Sequence, residues 1–447
     1  MTTKYRTWVC ALAVLLAACA PPATAPSASP TASLHVLPTA SPGLAGLVPA
    51  RLALDRHWYT VPDGLSTEAV KVSVTFDGDP TAGGPYVTVG DAPGAGGRMP
   101  LSRQTATTWT ASVALTGLAP GNQVVAIYER VQVPNEPSNA ATFGLVASTS
   151  FLLSQPEYVV WTLDFEGDAS GDAELANTAA IADGLRIPMA VFWNPRAWTT
   201  TQVSAERQDA MLQWTKDRQA KGDEIALHLH MWLDYVRAAG VAAKPSPSWA
   251  GRGDGYDVPM TAYTEVEQRT LIDYGVRLMA DHGLPKPTSF RAGGDIGDAA
   301  TLRAAVSAGF NADCTAVAKD YPAIGRIPYP WDLPAGAQPY QPSRSDANLP
   351  GDLPLLEAPT IGGNTYAYTV SSIQPQIRAN LALFAPAGQV AASRKAITIV
   401  SHPGTIVPAE RAAIEALLHA FDPLRYDQDH GPVRFVTMSQ LARAYGR

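Results

Sequence analysis

Tyr158-Val159-Val160-Trp161-Thr162-Leu163-Asp164-Phe165-Glu166-Gly167-Asp168 decides how the rest of this chain is read. An unbroken apolar run that ends in a cluster of acids is the pattern of a strand buried on both faces in a parallel sheet. Functional groups in such sheets collect where the strands end. A strand also presents alternate side chains to one face. Asp164 and Glu166 are therefore expected to point to the same side, with Phe165 pointing away.

Downstream of that strand the texture repeats. Ala173 to Leu185 reads as a helix, Pro188 to Trp193 as a strand and Ala205 to Ala220 as an amphipathic helix. Ile225 to His230 is a strand, Glu265 to His282 a helix, and a further strand ends at Arg291. Leu302 to Ala308 is helical, and Leu355 to Ala358 and Ile397 to Val400 are strands. Strand-helix alternation predicts a parallel α/β architecture over residues 155–447, of a size suited to a barrel.

Upstream the pattern differs. Val70, Val72, Val74 and Phe76 alternate with polar residues, as do Trp109, Ala111, Val113 and Leu115. Turn signals recur and no long helical period intervenes, which predicts a small all-β sandwich over residues 51–154. The Gly117-Leu118-Ala119-Pro120-Gly121 turn resembles those of fibronectin type III or immunoglobulin-like modules. Residues 19–50 are rich in Pro, Ala, Ser and Thr and read as a tether.

The first residues read as an export signal. Lys4 and Arg6 precede the apolar run from Trp8 to Ala18, which is too short to span a bilayer. Leu16-Ala17-Ala18-Cys19 resembles a bacterial lipobox, so residues 1–18 are expected to be removed and Cys19 lipidated. The expected destination is the cell envelope, anchored by lipid to the cell membrane or the outer membrane. Of the three cysteines, Cys10 would leave with the signal and Cys19 would be acylated. Cys314 would then have no disulfide partner.

Composition narrows the functional classes. The 447 residues are 46% hydrophobic and 16% charged, the balance of a globular protein. The net charge is −7 and no basic block occurs, so nucleic acid is not an expected partner.

The polar residues at strand ends carry the chemistry. Of eight histidines, His228, His230 and His402 fall at such ends, with Arg291 at another. His228 and His230 share one face of a strand and can reach one metal ion. A carboxylate from Asp164, Glu166 or Asp168 would complete a two-histidine, one-acid set with positions left for water. Trp198, Trp232, Trp249 and Trp331 lie near loop ends on the same face. The Pro- and Gly-rich stretch from Ala238 to Tyr263 reads as a lid or a passive surface loop.

In this order the pieces resemble the polysaccharide deacetylases of the NodB-homology group, carbohydrate esterase family 4. The resemblance runs from about Tyr158 to Gly446. It is carried by Thr162–Gly167, Gly222–His228, Ser289–Gly294 with Leu302–Asp313, Ile399–His402, and Val433–Ser439 as a closing strand. It implies a distorted (β/α) barrel and a metal-dependent hydrolase that removes N-acetyl or similar acyl groups from an envelope or extracellular polysaccharide. It also implies Asp164 as base, Arg291 as its holder, His402 as acid and His228 as a metal ligand. Asp313, with Asp332 as competitor, would orient the acidic histidine. The cofactor would be a divalent ion, with zinc expected. Two departures are visible. Phe165 splits the usual pair of adjacent acids, so Glu166 is expected as the acidic ligand. The usual second histidine lies four residues after the first, where this chain has Trp232, so His230 is expected to substitute. The alternative reading is an inactive surface lipoprotein that binds glycan or a protein partner.

Overall fold

The computed structural model describes residues 47–65, 69–80, 84–131, 142–319, 321, 327 and 329–447. The expected signal peptide, Cys19 and most of the tether lie outside the described residues. Among the described residues no helix is long and apolar enough to cross a membrane.

The N-terminal part is built from two sheets. One orders the strands Ala50–Leu54, Ala69–Phe76, Thr108–Ala114 and Ser102–Arg103. The other orders Trp58–Thr60, Thr142–Ser154, Gly121–Val131, Tyr86–Gly90 and Met99–Pro100. The alternation in Ala69–Phe76 does what period two requires. Val70, Val72, Val74 and Phe76 are buried, and Lys71 is exposed. The buried set meets Val125, Ile127, Phe151 and Leu153 from the facing sheet.

Ser154 ends the last of these strands, and the next sheet begins at Glu157. Its strands are β1 (Glu157–Asp164), β2 (Ala190–Trp193), β3 (Glu224–Leu229), β4 (Ser289–Ala292), β5 (Ala312–Asp313), β6 (Leu356–Glu357), β7 (Thr360–Asn364), β8 (Lys395–Ser401) and β9 (Val433–Phe435). They lie in the order β6-β5-β4-β3-β2-β1-β8-β7, all parallel. β9 pairs with the first half of β1, at Glu157 to Val159, and β2 pairs with its last residues, Thr162 to Asp164. A parallel bridge from Val317 to Thr360 links the chain after β5 to β7. That bridge curls the sheet into an irregular, partly closed barrel.

Residue parity sorts the two faces of every strand. Val159, Trp161, Leu163 and Phe165 belong to the outer core under the helices, with Val191, Trp193, Leu227 and Ile399. Tyr158, Val160, Phe192, Ala226 and Cys314 form an inner core with Met438, Leu441, Ala442 and Ala444 of a terminal helix. The outer layer comprises α1 (Asp172–Leu185), α2 (Ala205–Ala220), α3 (Leu233–Ala238), α4 (Glu265–Asp281), α5 (Ala299–Ala308), α6 (Gln374–Leu383) and α7 (Pro408–His419). α8 (Met438–Ala444) packs into the inner core beside Tyr158, near the start of β1.

Here one expectation is corrected. Val433 to Ser439 was expected as one closing strand, yet the strand stops at Phe435. Thr437 and Gln440 form a reciprocal capping box that starts α8 at Met438. The same device, Thr264 with Glu267, starts α4.

The sandwich meets the barrel at the end where β1 begins. Asp429 accepts hydrogen bonds from the backbone N–H groups of His57 and Trp58, at 2.9 and 2.8 Å. The hydroxyl of buried Tyr158 donates to Asp63. Functional groups at strand C-termini therefore lie at the opposite end.

Candidate active site

β3 and β4 set the first half of the site. His228 and Arg291 are register partners, and His228 Nδ1 lies 3.1 Å from the Arg291 carbonyl oxygen. A carbonyl can only accept, so Nδ1 carries a proton, and Nε2 is the nitrogen that is left to bind a cation when the ring is neutral. His230 repeats the arrangement, its Nδ1 donating to the Tyr256 carbonyl at 2.7 Å. Its ring stacks on that of Tyr256, with centroids 4.0 Å apart. Two adjacent glycines make room. A Cβ on Gly293 would lie 2.6 Å from the His230 ring. Gly294 has φ +67, and a Cβ there would lie 2.5 Å from Trp249.

β1 brings the acids, on the inner parity of that strand. Glu166 Oε2 lies 2.7 Å from His230 Nε2 and 3.9 Å from His228 Nε2. One ligand atom from each of these three residues lies within 4.8 Å of the others. His228 Nε2 is buried and has no hydrogen-bond partner among the described residues. Two imidazoles with tethered Nδ1 atoms and a carboxylate suit a divalent cation such as zinc.

Trp232, at the position where the family pattern would place a second histidine, is not part of this group. Its indole N–H donates to the Glu166 carbonyl oxygen at 2.9 Å, and the Arg196 guanidinium covers its ring. Asp168 is exposed and also stands outside the group.

Arg291 holds Asp164. Its Nη1 donates to Asp164 Oδ1 and to Thr162 Oγ1, both at 2.8 Å. Nη2 reaches Thr360 Oγ1 at 3.0 Å, and Nε reaches the Cys314 carbonyl at 2.9 Å. The guanidinium is fully buried and held on all sides, so Asp164 has a fixed position at the cleft floor. His402, just past β8, places Nε2 3.2 Å from Glu166 Oε1.

The electrostatics follow from this crowding. Burial by itself would raise the Glu166 carboxyl, but His230, His228 and His402 overturn that and hold it well below its ordinary range. Burial would lower His402, yet Glu166, then Asp164 and Asp295, push it up to about 9. His228 is raised in the same way, against burial, by Asp164 and Glu166.

The two expected orienting acids are elsewhere. Asp332 is a surface residue, paired with Lys319 at 2.6 Å and 76% exposed. The residues shortly before it, Tyr321, Ile327 and Tyr329, reach the cleft, but Asp332 is not among the residues that line it. Asp313 is fully buried, but its carboxylate takes the Thr315 N–H at 2.7 Å and faces Glu357 across the β5–β6 register. With those partners it does not reach His402, whose Nδ1 has no hydrogen-bond partner among the described residues. What Asp313 and Glu357 do support is the turn after β5. Glu357 accepts from Ala316 N–H, and that turn presents the Cys314 carbonyl to Arg291.

The cleft above these groups encloses about 770 Å³. The stretch from Ala238 to Tyr263 contributes Trp249 and Tyr256 to its wall, so it is not a passive surface loop. Trp198 does not face the cleft; it stacks on His282. Trp331 supports the cleft from behind, its indole N–H donating to the Asp295 carbonyl at 2.8 Å. Asp295, Asn364, Tyr321, Tyr329 and Tyr366 line the cleft and were not singled out from the sequence. Asp295 follows β4 by three residues and was open to the strand-end argument. The tyrosines come from irregular segments that have no period to read.

No protein-family model matches the chain, and no curated protein matches it. Solved structures do. A candidate polysaccharide deacetylase from Mycobacterium smegmatis aligns at 14% identity and a TM-score of 0.41, over 64% of this chain and 89% of its own. A family 4 carbohydrate esterase from Streptomyces lividans, in complex with acetate, aligns at 9% identity and 0.33, over 64% and 92%. A family 4 acetyl xylan esterase from Clostridium thermocellum, in complex with a cobalt ion, aligns at 11% and 0.32, over 65% and 92%.

Proposed function

We propose that this chain is a metal-dependent hydrolase of the polysaccharide deacetylase type, which removes N-acetyl or similar acyl groups from an envelope or extracellular polysaccharide. The observation that carries the reading is the Glu166, His228 and His230 group beside an arginine-held Asp164, at the C-terminal end of a parallel barrel. The motif order in the sequence supports the same family.

A divalent cation held by Glu166, His228 and His230, zinc by expectation, would supply Lewis acidity and a water of lowered pKa. Asp164 is the acceptor for the proton of the attacking water. Arg291 keeps its carboxylate aimed through a charge-assisted hydrogen bond of 2.8 Å. The water oxygen adds to the acyl carbon, the carbon–nitrogen bond breaks, and His402 gives its proton to the departing amine. The products are a carboxylic acid and a free amino sugar. In the metal-free protein Glu166, then Asp164 and Asp295, push His402 up to about 9, which favours its protonated form. The cleft tyrosines and Trp249 offer flat faces for sugar rings.

The protein is further proposed to be exported and lipid-anchored at Cys19. Cys19→Ala should release it from membranes, and unchanged partition without lipid on the intact mass would refute the anchor. The catalytic reading is tested by metal analysis and by release of acetate from N-acetylglucosamine oligomers. The wild type should hold close to one equivalent of divalent ion and His228→Ala should not. A wild type that keeps no divalent ion after metal loading overturns the enzyme reading.

A further inference from the structure

Beside the triad the cleft carries a second set of polar groups. The Tyr321 hydroxyl donates to Asp295 Oδ2 at 3.2 Å, and Asn364 Nδ2 donates to the same hydroxyl oxygen at 3.2 Å. A phenol has one hydrogen, and here it is used on Asp295. Its oxygen can then only accept, which fixes the Asn364 amide with its NH₂ toward Tyr321. Asn364 Oδ1 is left buried and without a partner among the described residues. Asp295 Oδ1 is not buried in this way: its side chain is 13% exposed and opens onto the cleft. Arg291 Nε is 4.0 Å away, beyond hydrogen-bond range, and donates to Cys314 instead. The buried Asn364 oxygen lacks a donor, which is costly unless a ligand supplies one, and the Asp295 oxygen faces the cleft with an acceptor to offer.

Two further observations bear on the ligand. Asp295 takes φ +57, a left-handed backbone uncommon for a non-glycine residue although aspartate tolerates it, and this turn aims its carboxylate at the cleft. The described residues that line the cleft include Asp164, Glu166 and Asp295 but no lysine or arginine. Asp164 is matched by Arg291 and Glu166 by histidines, so Asp295 is the least compensated charge. At the rim Tyr366 is 58% exposed, with its ring edge-on to His402 at 5.6 Å.

We propose that Asp295 and Asn364 form a sugar subsite that reads hydroxyl or amine hydrogens next to the reacting residue. The substrate class is then a neutral or amine-bearing aminosugar polymer rather than an acidic one. Tyr366 would carry the apolar face of a neighbouring ring. This assignment rests on the deacetylase reading of the same cleft.

The test is calorimetric binding to the metal-loaded full chain. Three tetrasaccharides serve as probes: N-acetylglucosamine oligomer, its fully deacetylated form, and one alternating N-acetylglucosamine with glucuronate. The first two should bind about tenfold or more tightly than the third, the worth of one hydrogen bond to a charged group. Asp295→Asn keeps the shape and tolerates the left-handed backbone. It should shrink that preference by about tenfold with metal content unchanged. Asn364→Ala should weaken all three ligands while leaving the preference in place. A glucuronate oligomer that binds as tightly as the neutral one, or an Asp295→Asn preference equal to wild type, overturns the subsite. Should Asp295→Asn fail to fold, the wild-type preference and Asn364→Ala still decide, and equal binding of all three ligands by Asn364→Ala and wild type refutes it. Preference without acetate release from any oligomer breaks the deacetylase reading and leaves the subsite standing. Acetate release without preference does the reverse.

Discussion

Two groups of buried carboxylates sit inside this barrel, and they titrate in opposite directions. Glu166 meets three imidazoles and is held well below the ordinary carboxylate range. Asp313 and Glu357 meet each other and backbone N–H groups, and both are raised, chiefly by burial and, for Glu357, by Asp313 as well. Burial pushes all three the same way, so the difference comes from adjacent cationic partners. A carboxylate surrounded by histidines stays a ligand. A pair without an ion-paired cation is pushed toward sharing a proton and serves as a brace, here for the turn that feeds a carbonyl to Arg291.

The sharpest way to break this comparison is to remove the ligand side. Glu166→Gln and His228→Ala should each lower metal affinity by more than about 100-fold, since even residues that only orient ligands are worth about 10–100-fold. Acetate release should fall with the metal. If Asp164→Asn empties the site while Glu166→Gln keeps it filled, the two acids have exchanged roles.

Next in size is the base. Asp164→Asn should keep the metal and reduce turnover by about 10²–10⁴, the usual worth of a positioned proton acceptor. Metal content measured on the same preparation separates this effect from loss of the site.

A smaller effect lies in the titration of His402. In metal-free protein its imidazole should titrate near 9, and Glu166→Gln should bring it down toward its ordinary 6.5, read by NMR. The sign of the stability effect follows. His402 is raised on folding, so its contribution is complete below pH 6.5 and is lost as pH rises through about 9. Glu166 is lowered, so its contribution is present above 4.5 and fades as pH falls toward its depressed value. Metal-free protein should therefore draw most from this pair between these limits, and Glu166→Gln should flatten the profile.

The smallest expected effect is on the brace. Glu357→Gln replaces a protonated carboxyl with a neutral amide and should cost about 1 kcal/mol or less, the net worth of an ordinary hydrogen bond. Asp164→Asn leaves a buried guanidinium without its counter-charge and should cost about 3–5 kcal/mol in unfolding. Equal losses in denaturant titrations would mean that the Asp313–Glu357 pair is ionised after all.

Much of this was legible in the chain. The apolar run from Tyr158 to Leu163 marked β1, and alternation alone placed Asp164 and Glu166 on one face and Phe165 on the other. Phe165 indeed packs outward against Trp193 and Trp214. His228 and His230 followed the same rule. Parity is a local property of an extended backbone, so sequence spacing determines it. What the sequence left open was which groups meet across strands. Asp313 and Asp332 had a motif position to recommend them, but a carboxylate's partner depends on loop paths and register. Only the assembled barrel set Asp313 against Glu357, sent Asp332 to the surface beside Lys319, and brought Asp295, Tyr321 and Asn364 together from three separate segments. Those contacts join residues far apart in sequence through irregular turns, and no periodicity encodes where such turns end in space.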